Sequence, residues 1–174
     1  MSIRRTSRFR TVAVVVGLVF GAIAVAPAAH ATTLLNCVGT ETLTFQPPLT
    51  NTPVPTQVHF AIDLDHCPAG GVSTGSSAGG FELTANCTVL DVLPPAFSDT
   101  YQWNTGASST ATYTAPVETV VNGSLVVTDT GTVTGGLDQG APANETTTLP
   151  EPALLTCATS GVAQVTGPYT LTFA

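Results

Sequence analysis

From Gly79 to Leu90, Phe81, Leu83, Ala85, Cys87 and Val89 alternate with Glu82, Thr84, Asn86 and Thr88. Side chains of a strand point to opposite faces with period two, so this spacing predicts a strand with one apolar and one polar face. The pattern recurs along the chain. Cys37, Leu43 and Phe45 share one parity between Leu34 and Phe45, with Glu41 intruding on it, which predicts an edge or a bend there. Val58, Phe60, Ile62 and Leu64 alternate with His59, Ala61, Asp63 and Asp65. Phe97, Tyr101 and Trp103 lead into a turn at Asn104-Thr105-Gly106, and Ala111 and Tyr113 mark the return strand. Asn122-Gly123 sits between the apolar β-branched runs Val117–Val121 and Leu125–Val133. That is the strongest hairpin signal in the chain, because both central residues of such a turn take φ > 0. Short strands are read at Asn144–Leu149 and Ala153–Ala158, and a last one through Tyr169, Leu171 and Phe173.

Punctuation separates these elements. Gln46-Pro47-Pro48 ends the first strand, Pro53 and Pro55 delay the second, and Pro94-Pro95 and Pro116 break later ones. Pro68 to Gly80 reads as a flexible Gly/Ser loop, and Gly135 to Pro142 as another; Gly131 is the place for a bulge. No segment has a helical period. Eight to ten antiparallel strands at this spacing predict an all-β fold, an antiparallel β-sandwich that is immunoglobulin-like in the broad sense, with a small β-barrel as the alternative.

The N-terminus changes the picture of the whole chain. Arg4, Arg5, Arg8 and Arg10 precede the apolar run from Thr11 to Ala26, and Ala29-His30-Ala31 is an A-x-A site, so residues 1–31 read as a secretory signal peptide and residues 32–174 as a single domain. Arg4-Arg5 lacks the apolar residues of a twin-arginine signal, and Asn36 is too large for a lipoprotein box at Cys37. All four basic residues lie in the signal, so residues 32–174 hold eleven acids and neither Lys nor Arg, a formal charge of −11. Nothing in such a chain neutralises phosphates or anionic headgroups, which excludes nucleic acid and a charged membrane surface as partners. The expected location is extracellular.

Four cysteines in an exported chain predict disulfides. Of the three connectivities, Cys67–Cys87 and Cys37–Cys157 are favoured: the first would close the Gly/Ser-rich loop between neighbouring strands, the second would tie the first strand to a late one.

Candidate chemistry is sparse. Gly71-Val72-Ser73-Thr74-Gly75 matches G-x-S-x-G, but no helix follows and both later histidines precede the serine. Asp129-Thr130-Gly131 resembles one aspartic-protease loop; that mechanism needs two aspartates, and a bulged strand is the simpler reading. Asp63 and Asp65 are candidate calcium ligands beside His66, set against a solvated strand face. His59 and His66 have no nucleophile at a fixed spacing. Tyr101, Trp103 and Tyr113 flank one hairpin and are either core or a stacking platform for a sugar or flat ligand. No cofactor is expected.

Several stretches together carry a resemblance: Cys37-Val38-Gly39-Thr40, Pro48-Leu49-Thr50, Trp103-Asn104-Thr105-Gly106, Thr130-Gly131-Thr132-Val133-Thr134-Gly135-Gly136-Leu137 and Leu154-Leu155-Thr156-Cys157. They resemble an uncharacterised group of small secreted actinobacterial proteins, which implies an extracellular disulfide-bonded β domain and supplies no catalytic residue. The composition is also similar to that of the secreted apoproteins that carry enediyne antibiotics, acidic Ala/Gly/Thr/Val-rich sandwiches with two disulfides. The leading expectation is a secreted non-enzymatic module that binds a protein, glycan or small molecule, with self-association through edge strands that carry no lysine. A small-molecule carrier and a secreted hydrolase are the alternatives.

Overall fold

The computed structural model describes residues 34–87, 96–114, 116–151 and 154–174. The signal sequence and Pro94-Pro95 lie outside these residues, as does the end of the strand read from Gly79 to Leu90. Nine strands follow in order: β1 (Leu35–Leu49), β2 (Val54–Ala69), β3 (Gly75–Ala85), β4 (Ala96–Trp103), β5 (Ser108–Thr114), β6 (Val117–Val121), β7 (Ser124–Gly136), β8 (Pro142–Pro150) and β9 (Val162–Phe173). A one-turn helix, α1 (Leu154–Ala158), stands where a short strand was expected.

The architecture is a closed eight-stranded antiparallel barrel. Neighbours run β5-β4-β3-β2-β1-β9-β8-β7, and β5 pairs with β7 to close the ring. β6 stays outside the ring on β7, continuing the line of β5 beyond Pro116. This is the small β-barrel that the sequence offered as the alternative; the favoured sandwich does not form, and with it goes the immunoglobulin-like reading. Sandwich and barrel ask for the same alternation of inward and outward residues. What separates them is the ladder from Ser109↔Gly136 to Tyr113↔Gly131, between strands that are not consecutive in the chain. Gly131 sits where β7 changes partner from β6 to β5. A Cβ there would fall 2.1 Å from the Thr112 carbonyl oxygen, so only glycine allows the approach. The bulge itself is at Thr134, skipped between Thr110↔Gly135 and Ala111↔Val133, not at Gly131.

Most expected elements form, with shifted ends. Asn122 (φ 51°) and Gly123 (φ 76°) make the turn that their sequence predicts. β1 runs through Pro47 and Pro48 to Leu49, but its ladder to β2 stops at Gln46↔Gln57, where a proline would have no N–H to give. The expected Gly/Ser loop is shorter, because β3 already begins at Gly75. Its glycines lie under aromatic rings: a Cβ on Gly75 would meet Trp103 at 2.4 Å, and one on Gly79 would meet Phe60 at 2.6 Å. The outer face is lined with threonine, and the hydroxyls of Thr42 and Thr166 (3.0 Å) and of Thr100 and Thr110 (3.0 Å) pair across strands.

The interior divides into two apolar layers. One contains Leu35, Ile62, Leu64, Tyr101, Trp103, Tyr169 and Phe173; the other contains Phe45, Leu49, Val58, Leu149, Val162 and Val165. A disulfide stands at each. Cys37 bonds Cys67, and Cys87 bonds Cys157. The expected pairs Cys67–Cys87 and Cys37–Cys157 do not form, and the register explains why. Asn36↔Ala69 and Val38↔His66 place Cys37 opposite the end of β2, and a bulge that skips Asp65 turns Cys67 inward. Cys87 follows Ala85, which pairs with Val54 at the other end of β2. A long hairpin thus separates Cys67 from Cys87. Peptide mapping of the unreduced protein with pepsin (trypsin has no site after Arg10) is expected to recover Cys37 linked to Cys67 and Cys87 to Cys157. Recovery of Cys67 linked to Cys87 would contradict the β1–β2 register.

Candidate functional site

Between the two apolar layers the barrel holds a cavity of about 370 Å³. It borders a gap in the β3–β4 ladder. Among the described residues the β3–β4 ladder consists of Gly75↔Trp103 and Ser76↔Gln102, after which the strands part. Ala78, Gly79, Gly80 and Phe81 form one lip of the gap, and Phe97, Ser98, Asp99 and Thr100 the other. Leu43, Phe45, Val58, Phe60, Leu83, Leu125 and Leu149 make most of the remaining wall apolar.

Four inward carboxylates interrupt that wall, Glu41 of β1, Asp99 of β4, Asp129 of β7 and Glu145 of β8, and a fifth, Glu118 of the outside strand β6, borders the cavity as well. Each of the four occupies an inward position of its strand, in step with apolar neighbours. Asp99, Asp129 and Glu145 are 6 %, 4 % and 6 % exposed, and Glu41 is half-buried. Glu145 is the best anchored. The hydroxyls of Tyr101 (2.6 Å) and Tyr169 (2.5 Å) donate to its Oε2, and Tyr101 is linked in turn to Tyr113 (2.9 Å) and to Tyr169 (2.8 Å). Glu41 accepts from the Thr147 hydroxyl at 2.6 Å. Asp129 lies directly across the β7–β8 ladder from Glu145, yet its buried Oδ1 has no hydrogen-bond donor.

Burial dominates the protonation of this group, because desolvation penalises the charged form. It raises Glu41 to about 7; the Thr147 hydrogen bond opposes the rise and Glu145 adds to it. Burial likewise raises Asp99 to about 7, reinforced by the negative charges of Glu145, Glu41 and Asp129. Asp129 is also raised to about 7, by burial first and then by Glu145, Glu41 and Glu118. Burial raises Glu145 as well, against the hydrogen bonds of its tyrosines. The Tyr101 and Tyr169 hydroxyls are pushed well above the usual phenol range by burial and by Glu145 and their neighbouring tyrosines, so they act only as neutral donors and acceptors.

The candidates from sequence fall into two groups. Asp129 is at the site, but as an inward strand residue facing Glu145 rather than in a protease loop. Tyr101 and Tyr113 are fully buried and support the site from below through their hydroxyls; Trp103 is buried too and donates through Nε1 to the Ser109 hydroxyl at 2.9 Å. No exposed stacking platform exists at these three residues, because β4 and β5 turn them inward. Asp63 and Asp65 are exposed on the outer face of β2, with His59 and His66 exposed beside them. Among the described residues no group of three or more His, Cys, Asp or Glu is placed to hold a metal ion. Ser73 lies in the turn between β2 and β3 and donates its backbone N–H to Asn104 Oδ1 at 2.9 Å.

Sequence reading missed Asp99, Glu145, Thr147 and Tyr169, and took Glu41 for the mark of an edge or a bend. The signal was available: each acid shares the parity of its strand's apolar residues, as Asp99 does with Phe97, Tyr101 and Trp103. Comparison with family models, with curated proteins and with solved structures finds no match to this chain.

Proposed function

We propose that this protein is a secreted, non-enzymatic carrier that holds a small molecule inside its barrel. The cavity carries this reading. Its size lies in the range of ligand sites, and it combines an apolar wall with a few convergent polar groups, the composition expected of a pocket that both buries and orients a ligand. An eight-stranded barrel is just wide enough for one small ligand. Export is supported by the signal pattern of residues 1–31 and by two disulfides, which persist in oxidising surroundings. In this reading the carboxylates are ligand contacts.

A second reading, a module that binds a protein partner, is favoured by β6. This strand lies outside the ring and exposes Val117, Val120 and Val121, and an unprotected edge invites strand addition.

The two readings separate in one measurement. Native intact mass of protein taken from culture supernatant is expected to show a reproducible increment of small-molecule size that is lost on denaturation. The bare polypeptide with two disulfides, or a mass that is a multiple of it, would move the function to β6.

A further inference from the structure

The cavity has an unusual charge balance. No Lys or Arg follows Arg10, and His59 and His66 are exposed on the outside of the barrel, so no side-chain cation of the described residues faces the four acids. Three of these acids have different surroundings. Glu145 is held by two tyrosine hydroxyls and Glu41 by Thr147, whereas Asp129, which also lines the cavity, has a buried oxygen with no hydrogen-bond partner among the described residues. A buried polar atom without a partner costs about 1–3 kcal/mol, so such atoms persist where something else fills the role. The missing component is a hydrogen-bond donor. Beside Asp99 and Glu145, with no protein cation present, it is also the place for positive charge. A lone metal ion is not favoured, since among the described residues no three ligands converge. The rest of the wall asks for an apolar body, and the rings of Phe60, Phe81 and Phe97 are compatible with a neighbouring ammonium group.

We propose that the ligand is an organic cation, a protonated amine on an apolar body, with an N–H directed to the Asp129 carboxylate. This rests on the carrier reading and adds the chemical class of the cargo.

Three probes of one shape and different charge test it: decylamine, decan-1-ol and decanoate, titrated calorimetrically into the disulfide-bonded protein at pH 8. The amine is expected to bind at least tenfold more tightly than the alcohol, and the carboxylate more weakly than either. Asp129→Asn is expected to lower amine affinity about tenfold, towards that of the alcohol; Asp99→Asn serves as the second variant, and the comparison among the three probes stands without either. Equal binding of alcohol and amine, or a preference for decanoate, would overturn the cation while leaving the carrier. Binding of none of the three would overturn both.

Discussion

The ligand-free protein is expected to lose stability as the pH rises from about 4 to about 8, the reverse of what paired surface carboxylates produce. Glu41, Asp99 and Asp129 hold their protons up to about 7 when folded, because burial and their mutual repulsion disfavour the charged form. In the unfolded chain they release them near the ordinary carboxylate range, about 4. Between these limits the folded state binds more protons than the unfolded one, so its stability falls with each step upward in pH and levels off once both states are ionised. At about 1.4 kcal/mol for each pH unit of displacement, the groups together are worth on the order of 5 kcal/mol; their shared repulsion makes the sum smaller than three separate terms. For a domain of this size that is a fall of roughly 10–20 °C in the melting temperature. Tyr101 and Tyr113, from β4 and β5, stay neutral over this range, as does Tyr169 of β9, while Glu118 of β6 adds its charge to the repulsion at Asp129. Calorimetric melts at pH 4, 5, 6, 7 and 8 decide the matter. A flat or rising profile would mean that the four acids are not held together in the dry interior. A bound cation should flatten the profile, since it favours the ionised form that the empty cavity penalises.

The expected pH profile depends on residues that the sequence placed well but explained badly. Period-two alternation was legible in nearly every strand, and so were the Asn122-Gly123 turn and the all-β class. The closure of the barrel was not, because it is decided by long-range register between β5 and β7, and local alternation is the same in an open and a closed sheet. Disulfide pairing failed for the same reason: Cys67 is near Cys87 along the chain, but β2 and β3 carry them to opposite ends. The site was half visible. Glu41 stood out as an acid on an apolar parity and was read as an edge or a bend; β1 is paired on both sides, which removes the edge. Taken singly, each inward acid looks like a local irregularity. Only the registers reveal that those of β1, β4, β7 and β8 border one chamber.

Glu145 is the residue on which that chamber's polar wall rests, and two substitutions separate its two roles. Glu145→Leu removes the acceptor of the Tyr101 and Tyr169 hydroxyls, and both are fully buried. The tyrosines keep their bonds to one another, so the loss is partial, but a buried donor without its acceptor still costs about 1–3 kcal/mol. The expected destabilisation at pH 5, where Glu41, Asp99 and Asp129 are mainly protonated, is about 2–4 kcal/mol. Glu145→Gln keeps an acceptor in the same place and removes the charge that raises Asp99 and Asp129. Its amide also brings donors beside the unpartnered oxygen of Asp129, opposite it on the ladder. At pH 8 this variant should therefore melt at or above the wild type, and its stability should depend less on pH. Denaturant unfolding of both variants at pH 5 and pH 8 measures all four values. If leucine were tolerated at pH 5 to within ~0.5 kcal/mol, the tyrosine network would not be holding the interior. If glutamine were destabilising at pH 8, the glutamate's charge would be serving the empty fold, and the repulsion assigned to this cluster would be wrong. Stability gained with glutamine alongside weaker binding of decylamine would show a site kept charged at the expense of its own fold.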